Sequence, residues 1–533
     1  MRSIIKKKLA IIILLLFIIA LFCVEGVNLL ALYNLKNDAL ATGLKLKESL
    51  NNSQWGRADI YYNHLDDDLG KIVKIANKML FADKVPSIAT KINQVKTISL
   101  VNDQISPEVK RIIKILSQAN SYKDLSQESK ISLWQNVQKI SLELNSNLIA
   151  LRESKLSIDD YVWLINIASI SPQIFGVNQE SNWLVYFQNE TEIRPTGGLW
   201  GALVDLEFKN GTPVVGSSFP IGGIFDPKNY DQIIPLDIKN IVETHTKKPI
   251  GMEFVNGFSN FNDVTNVSTP IIESQRNKKY ILSIGVDIKA IAKLLELVGP
   301  VDVKTIGEVD SKNIYQKLVY EPYFKDASSE IRSQRKLQLG EAGSQLINKL
   351  FSKDPSQIIA WIMQSRQDQH LLFSSTTDKY KQIISSLNSK KSDVENPNYV
   401  IYEETNFGGK QSQLINRLIK ITRSQGNRYL VKIDYDYFDT DTGAKLEFQE
   451  NKTLVRIRVP NGSKLIQSTG YQVGGNQINV LNDNAFSNVL IINPGEKKSI
   501  QFEYQLSDTF TEVLKQYPDP QIIIQPGLVV TQE

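Results

Sequence analysis

Hydrophobic positions divide the chain into stretches of different period. From Leu9 to Val24 the sequence LAIIILLLFIIALFCV carries no charge; it follows Arg2, Lys6, Lys7 and Lys8 and continues to Tyr33 with Glu25 as the single interruption. Flanking lysines can snorkel and Glu25 can sit at an interface, so residues 9–33 are predicted to form a transmembrane signal anchor. The positive-inside rule makes residues 1–8 a cytoplasmic tail and places everything from about Asn34 onward outside the cell membrane. A cleaved signal peptide is the competing reading, but no small-x-small pattern follows the run, and Phe22 before Cys23 spoils a lipoprotein signal.

Residues 34–178 have helical spacing. Trp134, Val137, Ile140, Leu144, Leu148 and Leu151 step by three or four and draw one apolar stripe, which predicts a helical bundle or stalk. Ser106-Pro107 reads as a cap and a first-turn proline. Residues 179–390 mix strands and helices: Lys279–Val286 reads as a strand, Asp287 caps a helix through Leu297, Gly299-Pro300 stops it and Val301–Val303 opens another strand. This unit predicts a central α/β layered core. Beyond the polar stretch 388–398 the period becomes two. Tyr429, Val431, Ile433, Tyr435 and Tyr437 alternate with polar residues, as do Val455, Ile457 and Val459 with Arg456 and Arg458. With turn signals such as Asn461-Gly462 and Asn493-Pro494-Gly495, residues 395–533 are predicted to be an all-β sandwich, so the whole chain is multidomain.

Composition narrows the chemistry. The 533 residues hold 61 basic and 57 acidic side chains, a net +4 that predicts no nucleic-acid partner. Cys23 is the only cysteine, so no disulfide forms within the chain, and His64, His245 and His370 are scattered without the spacing of a zinc site. Phosphate-loop, dinucleotide and serine-hydrolase motifs are absent.

Opposite charges and backbone freedom meet in one place, WLVYFQNETEIRPTGGLWG, from Trp183 to Gly201. Read as an extended strand, it puts Glu190, Glu192 and Arg194 on one side as a charged cluster, with Pro195 and the Gly197-Gly198 pair turning the chain back into a strand that carries Asp205. A bulge with a solvated ion pair is the plainer reading of the same residues. Arg332, Arg335 and Lys336 lie at i, i+3 and i+4 of a predicted helix from Ser328 to about Phe351. They read as a basic surface face or as an anion clamp.

The segment FQNETEIRPTGGLWG resembles the bacterial membrane-anchored family known as domain of unknown function 4012. That family's hallmark Gln-Asn-x-x-Glu-Leu-Arg-Pro-Thr-Gly-Gly-Phe is met by Gln188, Asn189, Glu192, Arg194, Pro195, Thr196, Gly197 and Gly198, with Ile193 and Leu199 as conservative departures. Val286-Asp287, LLELVGPVDV at Leu294–Val303, Arg335-Lys336, VRIRVPNGSKL at Val455–Leu465 and QIIIQPG at Gln521–Gly527 extend the likeness. More distantly, the order of elements is similar to the LytR-CpsA-Psr phosphotransferases, which move glycopolymers from a polyprenyl-pyrophosphate carrier onto the cell wall. That resemblance implies phosphate binding by Arg194, Thr196, Gly197, Gly198, Arg332, Arg335 and Lys336, and catalysis by Arg194 with Glu190, Glu192 or Asp205. It also implies Mg²⁺ held partly by the substrate and partly by a carboxylate such as Glu190, Glu192 or Asp205, none of the three being singled out as the metal ligand. Thr196-Gly197-Gly198 stands where that group has an Asp, and Ile221 where it has an arginine. Two functions are therefore expected in competition. One is an envelope protein that binds glycan or polyprenyl-phosphate-type ligands, or acts as a scaffold; the other is a transferase of the phosphotransferase kind.

Overall fold

The computed structural model describes residues 41–46, 48–49, 54–76, 86–118, 122–153, 162–177, 179–221, 234–235, 238–239, 251–304, 306–320, 341–353, 355–388, 394–407, 409–438, 450–470, 473–480 and 483–532. The predicted anchor at 9–33 lies outside them; among the described residues no helix is long and apolar enough to cross a membrane.

Helices α1 (Trp55–Ala76), α2 (Pro86–Ser117), α3 (Gln127–Ser146), α4 (Leu148–Glu153), α5 (Val162–Ser169) and α6 (Ser171–Ile174) form the first layer. Ser126 caps α3 through the amide of Ser129. Their stripes meet in one core that includes Tyr62, Val101, Ile105, Ile112, Leu133, Val137 and Ile140. Ser106-Pro107 does not start a helix, contrary to the sequence reading: Pro107 lies inside α2. Apolar residues before and after it, Val101 and Ile105, then Val109, Ile112 and Leu116, continue one buried face. That packing outweighs the lost backbone bond. The Ser106 hydroxyl donates instead to Asp66 across to α1, where Asn102 and Lys110 also converge.

The layer is packed onto the next one. Trp134 of α3 stacks on Phe175 with ring centroids 3.6 Å apart, and Phe175 meets Trp183 and Phe208 on the sheet. Tyr122 donates to the carbonyl of Gly211 in a sheet turn while accepting from the Trp134 indole.

That sheet has the order β3 (Thr212–Pro220), β2 (Leu199–Lys209), β1 (Ser181–Asn189), β4 (Leu282–Asp287), β7 (Leu371–Ser374). Only β1 and β4 are parallel; the remaining pairs are antiparallel. Helix α7 (Phe261–Arg276) covers one face, and the other is covered by α8 (Ile288–Val298), the helical stretch 341–350 and α9 (Pro355–Gln367). The hairpin β5 (Val301–Val303) and β6 (Gly307–Val309) follows α8, and α10 (Asp378–Ser385) follows β7.

The last part is two five-stranded sheets face to face. One has the order β12 (Lys464–Thr469), β15 (Lys497–Gln505), β10 (Arg428–Tyr437), β9 (Ile415–Arg423), β17 (Thr531–Gln532). The other runs β13 (Val473–Val480), β14 (Asp483–Ile492), β11 (Asn451–Val459), β8 (Tyr399–Asn406), β16 (Gln521–Ile524). Between them lie Tyr402, Tyr429, Val431, Ile433, Val455, Ile457 and Phe502. Strand β8 is buried on both faces. Glu404 turns into the sandwich and pairs with Arg417 at 2.7 Å, while Glu403 turns outward and pairs with Arg456 at 3.0 Å. Arg456 also reaches the Gly257 carbonyl of the α/β layer, and Leu454 and Val489 join the core beneath α7. The second face of this sheet is therefore covered by the middle of the chain.

Candidate functional site

Strand β1 ends where its last residue makes it end. The Asn189 side chain accepts from the amide of Thr191 and starts a one-turn 3-10 helix, Glu190–Glu192. Glu190, Glu192 and Arg194 consequently do not share a strand face, a correction to the extended reading, because residues in such a turn leave in different directions. Glu192 pairs with Lys410. Arg194 is 4% exposed. One of its terminal nitrogens donates to the carbonyls of Ile193 (3.1 Å) and of Asn406 at the end of β8, and the guanidinium lies 5.6 Å from the Phe407 ring centroid. Burial lowers its pKa to about 10, against the pull of Glu192 and Glu253.

The backbone around Arg194 is held the same way. Asn406 donates its amide to the Ile193 carbonyl at 3.0 Å, the Gln525 side chain donates to the carbonyls of Arg194 and Glu404, and that of Gln413 donates to those of Glu190 and Gly527. Two glycines permit this closeness. A Cβ on Gly198 would lie 2.3 Å from the Asn189 carbonyl carbon, and one on Gly527, where φ is +82°, would lie 2.6 Å from the Gly197 oxygen. Thr196, Gly197 and Gly198 are buried, with the Thr196 hydroxyl on Gln188. The RPTGG stretch is thus the bolt between the α/β sheet and the β-sandwich.

The remaining predicted site residues go elsewhere. Asp205 sits in mid-β2 opposite Leu184, six residues along from the Leu199–Asn189 pair, so roughly 20 Å from it. It accepts from Arg276 at 2.9 Å and Tyr280 at 2.5 Å. Arg332, Arg335 and Lys336 lie outside the described residues. Glu190, Glu192 and Asp205 face three different sets of partners and do not fit a shared Mg²⁺ site. Among the described residues no group of three or more His, Cys, Asp or Glu is arranged to hold a metal ion.

Glu190 does enter a polar cluster, at the carboxyl ends of the two parallel strands, where ligand sites of open α/β sheets gather. Fully buried, it accepts from the Ile288 amide at 3.1 Å and from the Tyr315 hydroxyl. Asp287, the last residue of β4, caps α8 through the Ala290 amide at 2.8 Å and holds His370 Nδ1 at 2.6 Å. Burial, then the neighbouring Asp287, raises the Glu190 pKa to about 8. The Tyr315 hydroxyl is pushed up too, first by burial and then by Glu190. Glu190 is thus held toward its protonated form by burial, beside Asp287 and its histidine partner.

Beside this cluster, between the helical layer and the sheet, lies an apolar cavity of about 360 Å³. Its floor is Val185 and Phe187 of β1, Ile284 and Val286 of β4, and Leu371 and Phe373 of β7; α3, α5, α8, α9 and the stretch 341–351 form the walls. Trp134, Trp163, Trp183 and Trp361 all contribute to the lining. Three of the indole N–H groups point to acceptors: Trp134 to Tyr122, Trp183 to the Ile174 carbonyl and Trp361 to the Ala290 carbonyl. A volume of this size is in the range of small-ligand pockets.

A family model described as Protein of unknown function (DUF4012) matches residues 178–323. Over residues 178–323 the chain is similar to this family. No curated protein matches the chain. The DUF4012 segment spans β1 to the residues after Tyr315, so it supplies Glu190, Asp287, Tyr315, the RPTGG bolt and part of the cavity floor. His370, the helical layer and the sandwich residues that grip Arg194 come from outside the DUF4012 segment.

Sequence reasoning missed the cavity and two of the cluster's members. His370 is 83 residues from Asp287, so nothing local joins them. A usable signal did exist: four of the six tryptophans face one space, and three of those four lie in apolar stretches around the start of β1 or in α9.

Proposed function

We propose that the chain is a membrane-anchored, extracytoplasmic envelope protein that holds the hydrocarbon chain of a polyprenyl-phosphate-type or similar lipid in the cavity between its helical layer and its central sheet. The observation that carries this reading is the cavity itself. An apolar, tryptophan-lined space of ligand size, roofed by a separate helical layer, is costly to leave as a void, since its lining forgoes contacts on one side. The anchor at 9–33 would hold this roof near the bilayer from which such a lipid comes, and the bolted β-sandwich would act as a fixed support or a surface for the cell wall. No nucleic-acid role is proposed. The transferase alternative draws no support from Arg194, which is buried and donates to the carbonyls of Ile193 and Asn406.

Ala168 lines the cavity, and Ala168→Phe would fill part of it. Organic extraction and mass spectrometry of the purified full chain should release one single-chain lipid per protein from the wild type and much less from the variant. No lipid in the wild type, or equal amounts in both, contradicts the reading.

A further inference from the structure

The cavity has two ends of different character. At one end, Phe187 and Val286 on its floor are followed by the residues that lead into the Glu190–Asp287–Tyr315 cluster, and Leu371 directly follows His370. Tyr315 joins the two, because its ring packs against the same apolar cluster that lines the cavity while its hydroxyl donates to Glu190. The opposite end lies at the start of β1, where Trp183 lines the cavity and Ser181 pairs with Phe208. There Phe351 meets Phe208 edge to face at 5.7 Å, two residues before Lys353.

Lys353 is the only charged residue among the described lining residues. It sits in the turn after the helical stretch 341–350, its backbone amide donating to the Leu350 carbonyl. Its ammonium makes no hydrogen bond or ion pair with any described residue, whereas Lys349, four residues earlier, is used up on the Pro300 carbonyl. A lysine whose methylene stem runs along an apolar wall keeps its charged head at the wall's edge. The space, about 360 Å³, is in the range of small-ligand pockets.

We infer that the cavity takes a single-chain anionic amphiphile, its tail directed toward Phe187 and Val286 and its charged head at the Lys353 ammonium. This rests on the lipid-binding reading and adds the sign of the head, its position and the direction of the chain. A carboxylate and a phosphate monoester share the recognising chemistry, a compact anion on one chain, and the probes separate them.

The full chain in phosphatidylcholine nanodiscs is titrated with 12-bromododecanoic acid, 12-bromododecyl phosphate and 12-bromododecan-1-ol, each read by bromine quenching of the cavity tryptophans. Wild type should bind at least one of the two anions about tenfold more tightly than the alcohol, as a charge-assisted contact of about 1.4 kcal/mol gives. The arm that binds more tightly names the head. Lys353→Met keeps the stem and should erase the anion preference while leaving alcohol binding unchanged; Lys353→Arg should restore it. An anion preference that survives in Lys353→Met, or a wild type that binds the alcohol as tightly as both anions, overturns the inference while leaving the lipid reading standing. Quenching by none of the three in wild type overturns both.

Discussion

Arg194→Ala separates a joint from an anion clamp. The side chain gives two charge-assisted bonds, to the carbonyls of Ile193 and Asn406, and rests on the Phe407 ring. Bonds of this kind contribute about 1.5–3 kcal/mol each and a desolvated cation–π contact about 1 kcal/mol more. Relief of the desolvation of a buried guanidinium offsets part of that sum, so a net loss of about 3–4 kcal/mol is expected. The loss should fall on coupling between the two sides of the joint. All six tryptophans lie between Trp55 and Trp361, so their emission follows only the part before the sandwich, while hydrogen exchange of peptides from 409–438 and 450–470 follows the sandwich. In urea the wild type should show coincident transitions; in Arg194→Ala they should separate, the tryptophan transition coming first. A variant with coincident transitions and a loss under about 1 kcal/mol, but with lipid binding abolished, would refute the joint and restore Arg194 to a ligand.

Two further outcomes follow from burial. Glu190 has a folded pKa of about 8 against an ordinary 4.5, so the folded state keeps a proton that the unfolded state loses. Its contribution to stability is present in full below about 4.5 and is lost as pH rises through about 8, with a slope of at most about 1.4 kcal/mol per pH unit. Glu190→Gln keeps an acceptor for Tyr315 and Ile288 and should flatten the dependence of the urea midpoint between pH 5 and pH 8; an unchanged slope contradicts the assignment. Ala168→Phe in lipid-free protein should hold or raise the melting temperature, because it fills space. A drop equivalent to about 1–3 kcal/mol, the usual cost of overpacking, would mean that the cavity closes in solution.

Local signals in the sequence are legible wherever the structure answers to them locally. The alternation from Tyr429 to Tyr437 becomes β10 with Tyr429, Val431, Ile433, Tyr435 and Tyr437 all buried in the sandwich, and Asp287 caps α8 through the Ala290 amide. The polar face of β11 was less legible. Arg456 alternates with core valine and isoleucine as a solvent-facing residue would, yet it is buried because the α/β layer covers that sheet. The RPTGG stretch misled for the same reason. Its charges and glycines look like a ligand loop, but the groups they serve, Asn406, Gln413 and Gln525, arrive more than 200 residues later. Pro107 and Lys353 complete the pattern: a proline tolerated by tertiary packing, and a lysine whose surroundings are assembled from helices and strands far apart in the chain.

The most direct test of a lipid-holding cavity is an anomalous-scattering map of the protein crystallised with 12-bromododecanoic acid. The account predicts a bromine peak inside the cavity near Phe187 and Val286, with the carboxylate at Lys353. A peak on the outer surface, or a cavity filled by its own side chains, would contradict it.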